Sequence, residues 1–148
     1  MAGNSRLAIA VHIAGMLSFA ENHPMTSEML AQSVGTNPVV VRRIIGLLAA
    51  NNLVKVKMGS GGGAYLARKA EDINLAEIYS ALEEGAVFDV PQFEETHLCV
   101  MGKIVRPILA EVLQKAEKSL LDNLSAVTLA DVIGKVKTHL TANCIGKI

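Results

Sequence analysis

Apolar residues recur at helical spacing in three consecutive segments near the start of the chain. The first segment spans residues 5–21, and its predicted apolar face consists of Leu7, Val11, Ala14, Leu17 and Ala20. The second is short, with Thr26 in the position of an N-cap and Gly35 at its end. The third begins at Pro38, directly after the capping residue Asn37, and ends near residue 51. Because the second and third helices are joined by only about four residues, they predict a helix-turn-helix.

The third predicted helix has two distinct faces. Apolar residues at i, i+3, i+4 and i+7 predict a buried stripe made of Val41, Ile44, Ile45 and Leu48. The same spacing on the other side gives Val39, Arg42, Arg43 and Gly46. We therefore expect this helix to pack on the first two and to expose two arginines.

A short hairpin is predicted directly after the third helix. Residues 53–57 alternate apolar and basic side chains as a half-buried strand does, and residues 64–67 can return beside them. The glycine-rich residues 58–63 form the turn between the two strands. They do not connect a strand to a helix, which disfavours a phosphate-binding loop. A hairpin in this place is typical of the wing in a winged helix-turn-helix.

Helical periodicity resumes at residues 73–82, disappears across residues 85–102 and returns in a long segment from about Lys103 to Leu124. The long segment carries one apolar stripe: Val105, Ile108, Leu109, Val112, Leu113, Ala116, Leu120 and Leu124. A stripe of this length indicates a partner helix. Thr128 is the predicted N-cap of a last helix, with a frayed tail from Thr141.

The predicted fold is mainly α with a small β-hairpin wing: a winged helix-turn-helix at 1–84, a loop at 85–102 and dimerisation helices at 103–148.

Composition and charge restrict the classes of function. Apolar residues make up 51% of the chain, aromatic residues only 3%, and Trp is absent, which favours a helical core of aliphatic side chains. The net charge is zero, yet residues 1–70 contain seven basic and two acidic residues, so this part carries +5 and the remainder −5. The asymmetry indicates a polyanionic partner for the N-terminal half, with ordinary variation in surface charge as the alternative.

Other classes find little support in the sequence. No apolar run reaches the ~18 residues of a membrane span and the N-terminus lacks a signal-peptide pattern, so we predict a cytoplasmic protein without a membrane partner. Two cysteines, Cys99 and Cys144, are too few for a disulfide framework and are expected to be reduced. Catalytic and cofactor motifs are missing, and the paired acids at 83–84 and 94–95 lie on stretches of solvated character. We predict neither an enzyme nor a bound cofactor or metal.

Several segments together resemble one family of bacterial regulators. They are Asn37-Pro38-Val39-Val40-Val41-Arg42-Arg43, Leu47-Leu48, Asn52-Leu53-Val54, the wing Gly59-Ser60-Gly61-Gly62-Gly63, and Ile73-Asn74-Leu75 at a helix start. With these motifs the chain resembles, from residue 5 to about 136, the Rrf-two family, which includes iron–sulfur cluster, nitric oxide and cysteine-metabolism regulators. The resemblance implies a homodimer whose long helices cross between subunits. It also implies a palindromic operator, with the third helix in the major groove and the wing at the minor groove or backbone. We expect a repressor.

The candidate DNA contacts lie on the helix-turn-helix and the wing. They are Thr26, Ser27, Asn37, Val39, Val40, Arg42, Arg43, Lys55, Lys57, Gly61 and Gly62. Arginine can bridge guanine O6 and N7 or clamp a phosphate, and polar groups at helix starts suit phosphate. Helix capping and a solvated helix face are the alternative roles.

One residue of the wing departs from the family pattern. Many relatives carry Arg directly before the first wing glycine, whereas this chain has Met58. Together with the zero net charge, this difference favours a second hypothesis: a helical protein-interaction module that does not bind DNA.

The loop at 85–102 is the region that this family uses for sensing. Cluster-binding relatives carry three cysteines there, whereas this chain has Cys99 alone with His97 nearby, so an iron–sulfur cluster is not expected. Oxidation of Cys99, beside the dimer helix, is the predicted signal, and a buried inert thiol is the alternative. A small-ligand pocket is a further hypothesis, with a lining of Tyr79, Phe88, Phe93 and His97. The simpler interpretation, which we favour, is that these side chains form a small satellite core.

Overall fold

The computed structural model describes residues 3–82 and 100–145, and these parts of the chain contain six α-helices and a two-stranded hairpin. In chain order the elements are α1 (Gly3–Phe19), α2 (Ser27–Val34), α3 (Pro38–Ala50), β1 (Val54–Lys57), β2 (Gly63–Leu66), a 3-10 turn (Ala70–Asp72), α4 (Leu75–Leu82), α5 (Val100–Ser125) and α6 (Leu129–Ile145). The strands are antiparallel, with Val54 opposite Leu66 and Lys57 opposite Gly63. The predicted fold class, mainly α with a β-hairpin wing, is confirmed.

One hydrophobic core joins the N-terminal elements to the last helix. Its largest fully buried side chains are Ile13, Leu17, Leu30, Val41, Leu48, Val54, Ile73, Ile78, Leu82 and Leu129. Leu129 belongs to α6, so the chain returns to the core of α1 to α4 after the long helix α5. The predicted buried stripe of α3 is confirmed, because Val41, Ile44, Ile45 and Leu48 all lie in this core. The division of the chain at residues 84 and 102 stays a prediction.

The buried face of α1 differs from the predicted stripe. The buried residues are Ala10, Ile13, Ala14 and Leu17. Leu7 and Val11 are only half-buried, and Ala20 lies beyond the end of the helix. Most positions of α1 are apolar, so spacing alone does not distinguish its faces. The buried face is determined instead by packing against α2, α3, α4 and α6.

Three helix boundaries also differ from the prediction. Helix α4 begins at Leu75 rather than at residue 73, because Ile73 is buried in an extended conformation and its carbonyl accepts a hydrogen bond from Leu129 N–H at 2.8 Å. Helix α5 begins at Val100, three residues before the predicted start, and accommodates Gly102 within its first turn. Helix α6 continues to Ile145, so the prediction of a frayed tail was wrong for residues 141–145, and residues 146–148 lie outside the described part of the chain.

Reciprocal caps fix the start of two helices. Thr128 Oγ1 accepts from Asp131 N–H at 3.0 Å while an Asp131 carboxylate oxygen accepts from Thr128 N–H at 2.9 Å, which confirms the predicted cap of α6. At α4, Asn74 and Glu77 form the same arrangement, with both hydrogen bonds at 3.0 Å. Glu77 also accepts from Arg68 Nη2 at 2.6 Å, so the cap ties the end of the hairpin to α4.

Partial burial acts to raise the pKa of Glu77, but the hydrogen bonds from the Asn74 backbone and Arg68 outweigh it, and the pKa is lowered from 4.5. Replacing Glu77 with Gln is therefore expected to reduce the free energy of unfolding by about 1 kcal/mol at pH 7, chiefly through the weaker cap, because the ion pair with Arg68 is screened by solvent. A lowered pKa stabilises the folded chain fully above the ordinary value of 4.5 and loses this effect as the pH falls through the folded value.

Urea unfolding, followed by circular dichroism at pH 7 and at several pH values below 4.5, measures this difference. The control is Glu71→Gln, at an exposed carboxylate 3.8 Å from Lys69, which should change stability little. If the Glu77 variant lost as much stability at the lowest pH as at pH 7, the carboxylate would not be the source of the effect.

Candidate nucleic-acid interface

The turn between α2 and α3 has the geometry that its residues predict. Gly35 adopts a left-handed conformation with φ 74°, and its N–H donates to Ala31 O. Asn37 caps α3, its side-chain oxygen accepting from Val39 N–H at 2.8 Å. Thr26 caps α2 by accepting from Met29 N–H at 3.3 Å. Both caps are confirmed, and their role at a phosphate stays a prediction.

The outer face of α3 is open to solvent. Val39, in its first turn, is 63% exposed, and Arg42, Arg43 and Gly46 are exposed along the same side. Val40 is half-buried at the edge of this face. The helix therefore displays two arginines and a branched apolar group on a surface that is otherwise free of bulky side chains.

Arg42 is engaged with the neighbouring helix. Its Nη2 donates to Glu28 Oε1 at 2.5 Å and its Nε donates to Ser27 Oγ at 3.0 Å. The backbone N–H of Glu28 and then the Arg42 guanidinium hold the pKa of the Glu28 carboxyl below its usual value, so this carboxyl is ionised at neutral pH. No local pattern predicts this contact, because 14 and 15 residues separate the partners and only the fold brings α2 beside α3.

Arg43 lies on the other side of the exposed face. Together with Val40 and Ile44 it lines a depression that also includes Arg6 of α1. In the described parts of the chain, neither Arg6 nor Arg43 has an acidic group within 4.0 Å. Arg6 was missing from the predicted contacts. It contributed to the N-terminal positive charge, which was the only signal in the sequence that pointed to it.

The wing is attached to the beginning of α2 as well as to α3. Met25 and Ala64 exchange two backbone hydrogen bonds, of 2.9 and 2.8 Å, so residue 25 extends the hairpin on its β2 side. Two wing glycines are required by close backbone contacts. A Cβ on Gly62 would lie 2.3 Å from Lys57 O, and one on Gly63, at φ 149°, would lie 2.5 Å from Met25 O.

The side chains of the wing are strongly exposed. Lys55 and Lys57 alternate along β1 with Val54, which is buried, and Val56, which is half exposed. Met58 follows at the turn and is 84% exposed. A shallow, mainly apolar groove separates the wing from α3; its walls include Met25, Ser27, Arg42, Ile45, Gly46, Val56, Met58, Gly63 and Ala64. The structure thus brings the predicted residues Ser27 and Arg42 to one groove with Val56 and Met58 of the hairpin, whereas Lys55 and Lys57 are exposed elsewhere on β1.

Other candidate sites are only partly described. Cys99, Phe88, Phe93 and His97 lie outside the described residues, and Tyr79 is half-buried in α4. Over residues 3–82 and 100–145, no group of three or more His, Cys, Asp or Glu side chains is placed to hold a metal ion. Within the same ranges, every helix falls short of the length and hydropathy needed to cross a membrane.

Comparison with known proteins gives consistent matches over almost the whole chain. Residues 4–135 match the model of the Rrf2 (Rrf-two) family, described as an iron-dependent transcriptional regulator. A Bacillus subtilis (strain 168) protein named as the HTH-type transcriptional regulator YwnA is 35% identical over 130 residues, which cover 88% of this chain and 96% of YwnA.

Solved structures agree with these sequence matches. A protein described as DNA binding is 34% identical, with a TM-score of 0.71 over 86% of this chain and 98% of its own. IscR of T. potens shares the fold at 24% identity, with a TM-score of 0.66 over 88% of this chain and 85% of IscR.

Proposed function

Because the chain belongs to the Rrf2 family of transcription regulators, and is therefore not an enzyme, we propose that it binds double-stranded DNA as a homodimer and represses transcription from a palindromic operator. The observation that carries this proposal is the exposed face of α3 with Arg42 and Arg43, beside a wing that carries Lys55 and Lys57. An α-helix fits the major groove of B-DNA, and arginine is the commonest reader of guanine there.

The wing and the helix caps supply contacts to the DNA backbone in this proposal. Lys55 and Lys57 are exposed and basic, which suits phosphate. Gly61 and Gly62 leave the turn without side chains, so its backbone can approach the duplex. Ser27, at the start of α2, accepts a hydrogen bond from Arg42 Nε, and Asn37, the N-cap of α3, accepts one from the backbone N–H of Val39, so both polar groups lie at helix starts next to exposed residues of α3. Met58 takes the place where a minor-groove arginine is expected and provides an apolar contact instead.

The dimer is supported by the surface of α5. Large apolar side chains are exposed along most of this helix in a single chain: Val100, Met101, Ile104, Val105, Ile108, Leu109, Val112 and Leu120. None of its described residues is buried. An apolar surface of this extent marks an interaction site, and a second copy of α5 matches it along its whole length. A two-fold dimer then places its two α3 helices about one turn of DNA, or a multiple of it, apart.

The predicted signal is oxidation of Cys99. This residue directly precedes α5, so a sulfenic acid, an adduct or an intersubunit disulfide would add bulk or a covalent restraint at the start of the dimer helix. We expect such a change to alter the distance between the two DNA-reading helices and hence the affinity for the operator.

A gel-shift experiment with the promoter region of the protein's own gene tests partner and signal together. The purified wild type should shift this duplex at low salt, lose affinity steeply as salt rises, and change its affinity after a mild oxidant. Cys99→Ser should remove the response to the oxidant, whereas the matched control Cys144→Ser should retain it. If the purified dimer does not shift the duplex at low salt, the proposal of DNA binding is refuted and the protein-interaction module is favoured. The exposed side chain of Met58 is the observation that supports this alternative. Equal responses in wild type and Cys99→Ser would remove Cys99 from the mechanism.

A further inference from the structure

The contacts of Arg42 leave one edge of its guanidinium available. The group has five N–H donors in a planar fork. Nε and Nη2 on one edge donate to Ser27 Oγ and Glu28 Oε1, and Ser27 Oγ is itself 3.2 Å from the same carboxylate oxygen. In the described parts of the chain, Nη1 donates to no other group. The outer pair of donors, on Nη1 and Nη2, therefore remains for a ligand.

We propose that Glu28 and Ser27 orient Arg42 to read a guanine in the major groove, which makes Glu28 a specificity-determining residue that does not touch DNA. Guanine presents two adjacent acceptors, O6 and N7, which match a pair of parallel N–H donors. A guanidinium that is already oriented loses less side-chain freedom when it binds. The inference rests on the proposed function, because it assumes that α3 enters the major groove.

The charge around each arginine favours a base over a phosphate for Arg42. Glu28, ionised and in contact with Arg42, would repel a phosphate group but has little effect on the uncharged edge of a base. Among the described residues, Arg43 has no acidic partner and lines a depression together with Arg6, so this second pair has the positive charge that a phosphate requires. The structure thus assigns different tasks to two adjacent arginines that look alike in the sequence.

Selection from a pool of synthetic duplexes with randomised half-sites tests the inference on the full-length protein. Wild type, Glu28→Ala, Arg42→Lys and Glu71→Ala are compared, the last being a matched control because Glu71 is an exposed carboxylate 3.8 Å from Lys69, away from α2, α3 and α5. Wild type and the control should prefer guanine at one position of each half-site. Arg42→Lys, which keeps the charge and loses the fork, and Glu28→Ala should both lower this preference, by about 10-fold and by several-fold respectively.

The outcomes separate this inference from the proposed function. If wild type selects no sequence at all, the proposed function fails and the inference with it. If wild type selects an operator but Glu28→Ala keeps the same base preference and only binds every duplex more tightly, Glu28 acts as a repelling charge and the inference is wrong. Glu28 and Arg42 are both more than half exposed, so the variants are expected to fold, which circular dichroism checks.

Discussion

Affinity for the operator is expected to fall by at least about 100-fold when Arg42 and Arg43 are both replaced by alanine. Each side chain lies on the exposed face of α3, and in a two-fold dimer each loss occurs twice. The two arginines should contribute differently. Loss of Arg43 is expected to weaken binding to all sequences and to lower the salt dependence by about one unit of slope for each lost phosphate contact, whereas loss of Arg42 mainly relaxes base preference.

Fluorescence anisotropy with a labelled operator, repeated over a range of salt concentrations, measures both effects. The matched control is Lys103→Ala with Lys118→Ala, which removes two positive charges from exposed positions of α5 outside the apolar stripe. If this control weakened binding as much as the arginine pair does, net charge alone would explain the result. An unchanged affinity in the arginine variant would show that another surface binds the DNA.

Replacing Ile108 with Glu is expected to convert the dimer to a monomer and thereby to lose operator binding. Ile108 lies in the middle of the apolar stripe of α5 and is 58% exposed in the single chain. A carboxylate at this position would therefore remain in contact with solvent in the monomer, and we expect the stability of the folded monomer to change little. In the proposed dimer, an unpaired carboxylate from each subunit would be buried in the interface, which costs several kcal/mol. Sedimentation velocity at micromolar concentration measures the change in mass.

Gln114→Glu is the matched control, since it adds the same charge to α5 at an exposed position away from the stripe, one turn before Lys118. This variant should remain dimeric and bind the operator. A dimeric Ile108→Glu variant would place the dimer interface elsewhere. A monomeric variant with full affinity would instead contradict the requirement for two subunits on the DNA.

The parts of the fold that sequence patterns predicted well are those encoded within a few residues. The caps at Thr26, Asn37 and Thr128 and the left-handed Gly35 each depend on contacts no more than four residues apart, and all four are confirmed. The buried and exposed faces of α3 were predicted correctly because its two arginines lie on one side, so only the opposite side can enter the core. The resemblance to the family was also recognised from local motifs, which lie between residues 37 and 75.

The features that were predicted wrongly or missed depend on contacts between distant segments. The start of α4 depends on Leu129, which lies more than fifty residues beyond Ile73 in the chain and holds its carbonyl. The ion pair between Glu28 and Arg42 needs two helices to come together, and the position of Arg6 beside Arg43 needs a third. Such contacts change the expected chemistry of a residue without altering the local pattern around it.

The two backbone hydrogen bonds between Met25 and Ala64 also have a consequence for the proposed regulation. They join the hairpin to the chain entering α2, while β1 follows α3 after a short turn, so the wing is connected to the helix-turn-helix at two places. We therefore expect α3 and the wing to move together and to contact a half-site in the same way with and without the signal. In the proposed dimer, the signal then acts by changing the separation of the two DNA-binding units. The number of base pairs between the two half-sites determines which separation permits binding.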